Sequence, residues 1–282
     1  MTLYYLGPKG TFSYLAALKY NTNDESFIPK ENLYEVITAL KSDASSRAIV
    51  PIENAIEGTI NVVADSLVEY PFTVIQEVHL DIEFSLYGAK GTSIDEIQEV
   101  RSIAPAISQT QKFIHQHQLH YSYTQSTVES LQFIDASTAA IAPKGSGEAY
   151  GFTALAQNIE DYPHNVTRFL VLSNDEMPLE EGTQCLLLIT PSRDQPGLLA
   201  SILNTFALFN VNLSWIESRP LKTQLGRYRF YVQAEYPEEM TMKKITTILE
   251  TLDFEIRHLG RFNEFKRLSI KCSSLYSVWG TF

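Results

Sequence analysis

Through the first 170 residues, short apolar runs alternate with stretches of helical period, and this restricts the chain to layered α/β folds. Residues 3–6, 48–51, 121–123, 139–142 and 165–172 read as strands, and 72–87 as one long strand or two. Residues 11–20, 33–40, 59–69, 106–117 and 128–134 read as helices. In 59–69, Ile60, Val63, Ala64 and Leu67 fall on one face. Such alternation predicts largely parallel sheets. Two sheets of this size predict two lobes with a cleft between them.

The stretch 173–183 (SNDEMPLEEGT) is polar and acidic and reads as a linker. Beyond it the period changes. Strands are expected at 185–190, 211–217, 228–234 and 254–259. Helices are expected from Pro196-Gly197 to Phe209 and over 240–251. That order, βαββαβ, is ferredoxin-like. The tail 263–282 shows no period and no role.

Composition narrows the function. The formal net charge of −11 argues against nucleic acid or an anionic membrane as main partner. No apolar run approaches the roughly 20 residues that span a bilayer. The N-terminus lacks a basic start followed by a long apolar run. A soluble, cytoplasmic protein is expected. Cys185 and Cys272 read as buried or idle thiols. The cluster His115, His117 and His120 matches no common zinc spacing, so no metal is expected.

Ligands of open α/β sheets bind beyond the carboxyl ends of strands, where helix N-termini offer unpaired N–H groups. Three loops have that form. GPKGTFS at 7–13 offers close backbone approach, the charge of Lys9 and the hydroxyls of Thr11 and Ser13; it reads as a carboxylate cradle or as an ordinary capped turn. PIENAIEGT at 51–59 places Glu53, Asn54 and Glu57 before a helix, for proton chemistry or for capping. STVES at 126–130 pairs Ser126 with Glu129 as a capping box, with hydroxyls that could also serve a site. A fourth segment, NVTRF at 165–169, is a strand. If extended, it puts Thr167 and Phe169 on one face and Arg168 on the other.

Taken in order, and with AAIAP at 139–143, AYGF at 149–152 and NIEDYPHNVTRFLVL at 158–172, these segments resemble the prephenate dehydratase family. DQPGLLASILNTFALFNVNLSWIESRP at 194–220 resembles the ACT domain fused to such enzymes. The resemblance covers roughly residues 3–262. It departs at 102–110, where SIAPAISQT stands for the usual S-H-P-Q-A-L-x-Q-C, at Ala55, where Ser often follows P-I-E-N, and at Phe84, where His is common.

The resemblance implies a catalytic part at 1–173, folded like a type II solute-binding protein, with lobe 1 at about 1–76 and 165–173 and lobe 2 at about 77–164. A linker at 174–183 and an ACT domain at 184–262 would follow. It implies a cofactor-free conversion of prephenate to phenylpyruvate, CO2 and water in phenylalanine biosynthesis. Thr167 would assist the departing hydroxyl, and Phe169 would line the ring pocket. Lys9, Thr11, Phe12, Ser13, Glu53, Asn54, Glu57, Thr59, Ser126 and Thr127 would bind substrate at helix N-termini and loops, with Arg168 ranked behind them. L-Phenylalanine would regulate from an interface between paired ACT domains, in a homodimer or homotetramer. Gly197, Leu198, Leu199 and Ala200 would supply backbone groups, and Asn212, Glu217, Ser218, Arg219 and Pro220 the rest. Because the dehydratase-like part begins at residue 3, no chorismate mutase segment is expected. Two other readings stay open: a non-catalytic amino-acid sensor, and a dehydratase acting on arogenate.

Overall fold

The computed structural model describes residues 1–20, 26–174, 182–222 and 226–264. The expected linker at 174–183 falls largely outside them, and the tail beyond 264, with Cys272, falls outside entirely. The chain begins with β1 (Thr2–Leu6), α1 (Phe12–Tyr20), β2 (Ser26–Lys30), α2 (Leu33–Ser42), β3 (Arg47–Asn54), β4 (Gly58–Thr59), α3 (Asn61–Glu69) and β5 (Thr73–Asp81). It crosses to a second body with β6 (Phe84–Gly88), β7 (Glu99–Ser102), α4 (Ala104–Ser108), α5 (Gln111–Gln116), β8 (His120–Tyr123), β9 (Thr138–Pro143) and β10 (Thr153–Gln157). It returns through β11 (Val166–Ser173). A third body holds β12 (Gln184–Pro191), α6 (Leu198–Leu208), β13 (Leu213–Pro220), β14 (Tyr228–Glu235), α7 (Glu239–Thr251) and β15 (Phe254–Phe262).

The first sheet has the order β2-β1-β3-β11-β5, with β4 on β3. The second is β10-β6-β9-β7-β8, and the third is β13-β14-β12-β15. The third sheet is antiparallel throughout, in the ferredoxin-like order expected. The first two are mixed rather than largely parallel. β1, β2 and β3 run parallel, as do β7, β8 and β9, but β11 is antiparallel to β3 and β5, and β6 is antiparallel to β9 and β10. The antiparallel members are the strands that carry the chain between lobes. β5 stays in the first sheet to Asp81, so the crossing lies after Asp81 and not near Gln76. The chain re-enters the first sheet at Val166.

Other departures are local. The helix expected over 106–117 breaks into α4 and α5. The one expected over 59–69 starts at Asn61, because Gly58 and Thr59 fold back onto Asn54 and Glu53 as β4. β2, β7 and β10 are strands that the apolar pattern does not show.

β11 is buried on both faces. Phe169 and Val171 join a core with α1 and the second sheet, including Leu86 and Ile141. Leu170 and Leu172 join another, with α2, α3 and residues of the third sheet such as Leu186, Trp215 and Tyr231. The C-terminal unit is therefore seated on the first lobe by a shared apolar core. Its helices cover the other face of its own sheet. Gly260 marks the closest approach: a Cβ there would lie 2.1 Å from the Val74 carbonyl oxygen on β5. No helix among the described residues is long and apolar enough to cross a membrane.

Candidate active site

The carboxyl ends of β1, β2 and β3 and the start of β11 meet at one edge of the first sheet. A cleft of about 770 Å³ opens there, against the loops that follow β7 and β8 of the second lobe. Leu6, Gly7, Thr11, Phe12, Ser13 and Lys30 line one wall; Ile103, Gln125, Ser126, Thr127 and Glu129 line the other. This is where ligand sites form in open α/β sheets. Gly7 is required for the approach of β2: a Cβ would lie 2.7 Å from Cβ of Pro29.

Thr11 is nearly buried. Its hydroxyl is within reach of the Leu6 and Pro8 carbonyls, both at 3.0 Å, and accepts from the Tyr14 N–H at 3.4 Å. It therefore fixes the start of α1 and holds the N–H groups there toward the cleft. Phe12 packs edge-to-face on Phe84 across the lobes, ring centres 5.3 Å apart. In the opposite wall, Ser126 Oγ accepts from the Glu129 N–H at 3.0 Å, and the Glu129 carboxylate accepts from the Gln125 N–H at 2.6 Å. These bonds tighten the turn that presents Thr127.

Thr167 and Asn54 do not line this open volume. They lie nearly buried at the same sheet edge, paired across β11 and β3. The Ile56 and Glu57 N–H groups both donate to Asn54 Oδ1 at 3.0 Å. That fixes the amide's orientation and turns Nδ2 toward its other partners. Nδ2 donates to Thr167 Oγ1 at 2.9 Å and to Asn165 Oδ1 at 2.8 Å. Asn165 Nδ2 donates to Gln109 Oε1 at 2.6 Å, and Gln109 Nε2 donates to Glu57 Oε1 at 3.2 Å. Ser108 Oγ also donates to Glu57, at 2.9 Å. Every amide in this closed chain has one permitted direction, and the chain joins the two lobes. Thr167 uses an oxygen lone pair on Asn54, so its hydroxyl hydrogen is available to an acceptor.

Several expected residues stand elsewhere. Glu53 and Arg168 are on the opposite face of the sheet. Arg168 Nη1 donates to Glu53 Oε2 at 2.7 Å, and its Nε donates to Glu77 Oε1 at 3.0 Å. The strand geometry forces this, since neighbours on β11 alternate faces. The register shift on β3 beside Arg168 does not bring Arg168 round to the side of Thr167. Phe169 is fully buried in the core rather than on a cleft wall. Thr59 sits in β4, not at a helix N-terminus. Lys9 lies over the Tyr14 ring at 5.8 Å and is not among the residues of the cleft wall, whereas Lys30 is. Glu57 bridges to lobe 2 instead of facing the open volume.

The expected regulatory residues also separate. Gly197, in a left-handed conformation, precedes α6, and Leu199 and Ala200 are exposed there beside the half-buried Leu198. Asn212 donates to Glu235 at 3.1 Å. Along β13, Ser218 and Pro220 face outward, while Glu217 and Arg219 alternate with them toward the other side. Arg219 donates to Asn61 at 2.6 Å and pairs with Asp65 on α3 at 3.3 Å. The four residues of ESRP cannot all face one ligand.

Lys30 escapes a reading of the sequence. Gln109 and Asn165 lie inside the quoted segments 102–110 and 165–169 but carry no expected role there, and both are almost fully buried. Among the described residues, no group of three or more His, Cys, Asp or Glu side chains could hold a metal ion.

The family model for prephenate dehydratase matches residues 3–177. A prephenate dehydratase of Bacillus subtilis (strain 168) is 31% identical over 284 residues, covering 94% of this chain and 100% of its own. The crystal structure of the prephenate dehydratase from Staphylococcus aureus subsp. aureus Mu50 is similar with a TM-score of 0.88 and 59% identity, over 93% of this chain and 100% of that one. A prephenate dehydratase from Arthrobacter aurescens, solved in complex with L-Phe, superposes with a TM-score of 0.83 at 28% identity, over 99% of this chain and 97% of that one.

Proposed function

This chain belongs to the prephenate dehydratase family, and we infer that it converts prephenate to phenylpyruvate under feedback from L-phenylalanine. In this reaction the bond from the ring to its carboxylate breaks and releases CO2. Its electron pair enters the ring, and the ring C–O bond breaks with its pair on oxygen. One proton delivered to that oxygen completes water, and the ring becomes aromatic. No electron has to be stored, so the protein's task is to place a donor, bind two carboxylates and exclude water.

In this reading Thr167 is the hydrogen-bond donor to the departing oxygen; it keeps its own proton, and the proton that completes water comes from solvent. The observation that carries it is the Asn54 amide held by two backbone N–H groups and donating to Thr167 Oγ1. A hydroxyl that accepts a hydrogen bond is polarised to give a better one. At 8% exposure, Thr167 has little water to compete for its hydrogen. The carboxylates of prephenate fit the cleft walls, at the N–H groups beside Thr11 and Thr127; Lys30 lines the rim, its ammonium over the Tyr4 ring 5.1 Å from the centre, and adds positive potential nearby. Phe12 offers the ring an apolar wall.

The C-terminal βαββαβ unit reads as an ACT domain and as the seat of L-Phe control. The outward loop at Gly197 and the outward residues Asn212 and Ser218 supply its polar groups, and Arg219 is committed to α3.

Thr167→Ala is expected to lower kcat by about 10²-fold or more, the scale of general-acid assistance, with the fold intact. Steady-state formation of phenylpyruvate measures it. Turnover near the wild-type value removes Thr167 from the mechanism.

A further inference from the structure

The next step rests on the role given to Thr167 and concerns what holds that hydroxyl in place. β3 and β11 each present two adjacent residues at their paired ends. Asn54 and Thr167 face the site; Glu53 and Arg168 face the C-terminal unit. On that side Arg168 Nη2 donates to Gln233 Oε1 at 2.5 Å, and Gln233 Nε2 donates to Glu77 Oε2 at 2.7 Å. Trp215 Nε1 donates to Glu53 Oε1 at 3.1 Å, and the Arg168 guanidinium lies over the Trp215 ring, 5.3 Å from its centre. Gln233 stands on β14 and Trp215 on β13. Both are buried, so solvent does not compete for these bonds.

We propose that Gln233 and Trp215 are positioning residues for the dehydration: carried by the C-terminal unit, they set the ends of β11 and β3 through Arg168 and Glu53, and so set Thr167 and Asn54. One peptide bond separates the gripped residue from the working one on each strand. A guanidinium held by a planar fork tolerates little rotation. Any displacement of the third sheet against the first is therefore delivered to the donor hydroxyl. Misplacement on the scale of 1 Å costs about 10²-fold in rate, and it does so without changing the groups that bind substrate. The effect belongs in kcat rather than KM.

The experiment uses the full chain with Gln233→Met and Trp215→Phe combined. An unbranched chain of similar length and an aromatic ring are kept, the three hydrogen bonds that Gln233 and Trp215 make with Arg168, Glu77 and Glu53 are lost, and the Arg168–Glu77 and Arg168–Glu53 pairs remain to hold the fold. On prephenate, kcat is expected to fall about 10-fold or more while KM stays within about two-fold. Trp215→Phe alone should show a smaller fall in the same direction, and it keeps the test open if the double variant melts early. An unchanged kcat, or a KM that rises in step with the fall, overturns the proposal. Wild-type protein run in parallel separates the two levels: no phenylpyruvate from it removes the reading of the cleft itself.

Discussion

The paired ends of β3 and β11 show two faces built from adjacent residues with opposite chemistry. Toward the site stand an amide and a hydroxyl, Asn54 and Thr167. Away from it stand charges, Glu53, Arg168 and Glu77, locked together and to Gln233. The division follows from cost. A buried charge separated from its partner is expensive, so such groups make anchors. A neutral hydroxyl or amide can exchange a protein partner for a substrate at small cost, so these make working groups.

The sharpest way to break the comparison is to remove one residue from each face. Arg168→Met leaves the Glu77 carboxylate buried without its guanidinium, and should destabilise the fold by about 3–5 kcal/mol. Thr167→Val, beside it, should leave stability within about 1 kcal/mol and act on kcat alone. Denaturant unfolding of both variants measures the contrast. Equal stabilities would mean the charged face is not an anchor.

The second expectation concerns pH. Burial alone would raise the Glu77 pKa, but the bond from His79, the charge and bonds of Arg168 and the bond from Gln233 outweigh it and hold it at about 2, against an ordinary 4.5. The folded state then binds this proton more weakly than the unfolded chain does. Its contribution to stability is complete above pH 4.5 and is lost as pH falls toward 2. The loss amounts to about 3 kcal/mol. Glu77→Gln should flatten the stability profile across that window, and an unchanged slope would assign the acid sensitivity elsewhere.

A smaller effect is expected from Asn54→Leu. It removes the amide that orients Thr167 and leaves the hydroxyl in place, so kcat should fall about 10-fold and not by the full loss of Thr167. Rates for the single and double variants decide this. If the two losses multiply, Asn54 acts independently of Thr167.

Much of this arrangement is legible from residues alone. The period of two along 165–169 puts Arg168 opposite Thr167, and the structure agrees. The resemblance nevertheless gathered both into one site, because a motif records neighbours in sequence and not faces. The same applies to ESRP, where alternation turns Arg219 toward α3. β2 escapes the pattern for another reason. SFIPK is a five-residue edge strand with a proline, and it is mostly exposed, so it carries no apolar period. Lys30 is lost with it. Gln109 and Asn165 are 56 residues apart and meet only when the lobes do. Nothing local marks such a pair.

The least expected loss lies at Glu57, which tests whether the closed hydrogen-bond chain belongs to the working face or to the anchors. Its carboxylate accepts from Ser108 and Gln109 of lobe 2, while its own N–H donates to Asn54. Glu57 itself is exposed, so the charge is screened and worth little. Its carboxylate also fixes the direction of the Gln109 amide and, through it, of Asn165, while the Asn54 amide is held by two backbone N–H groups. Gln109 and Ser108 both donate to the same oxygen, so Glu57→Gln keeps the shape and that acceptor but removes the negative charge that strengthens both bonds. Lobe 2 would then be held less firmly across the cleft, and KM for prephenate should rise about two- to three-fold with kcat unchanged. If kcat falls while KM stays constant, disorder has travelled back along the amides to Asn54 and Thr167, and Glu57 is part of the machinery that aims the hydroxyl.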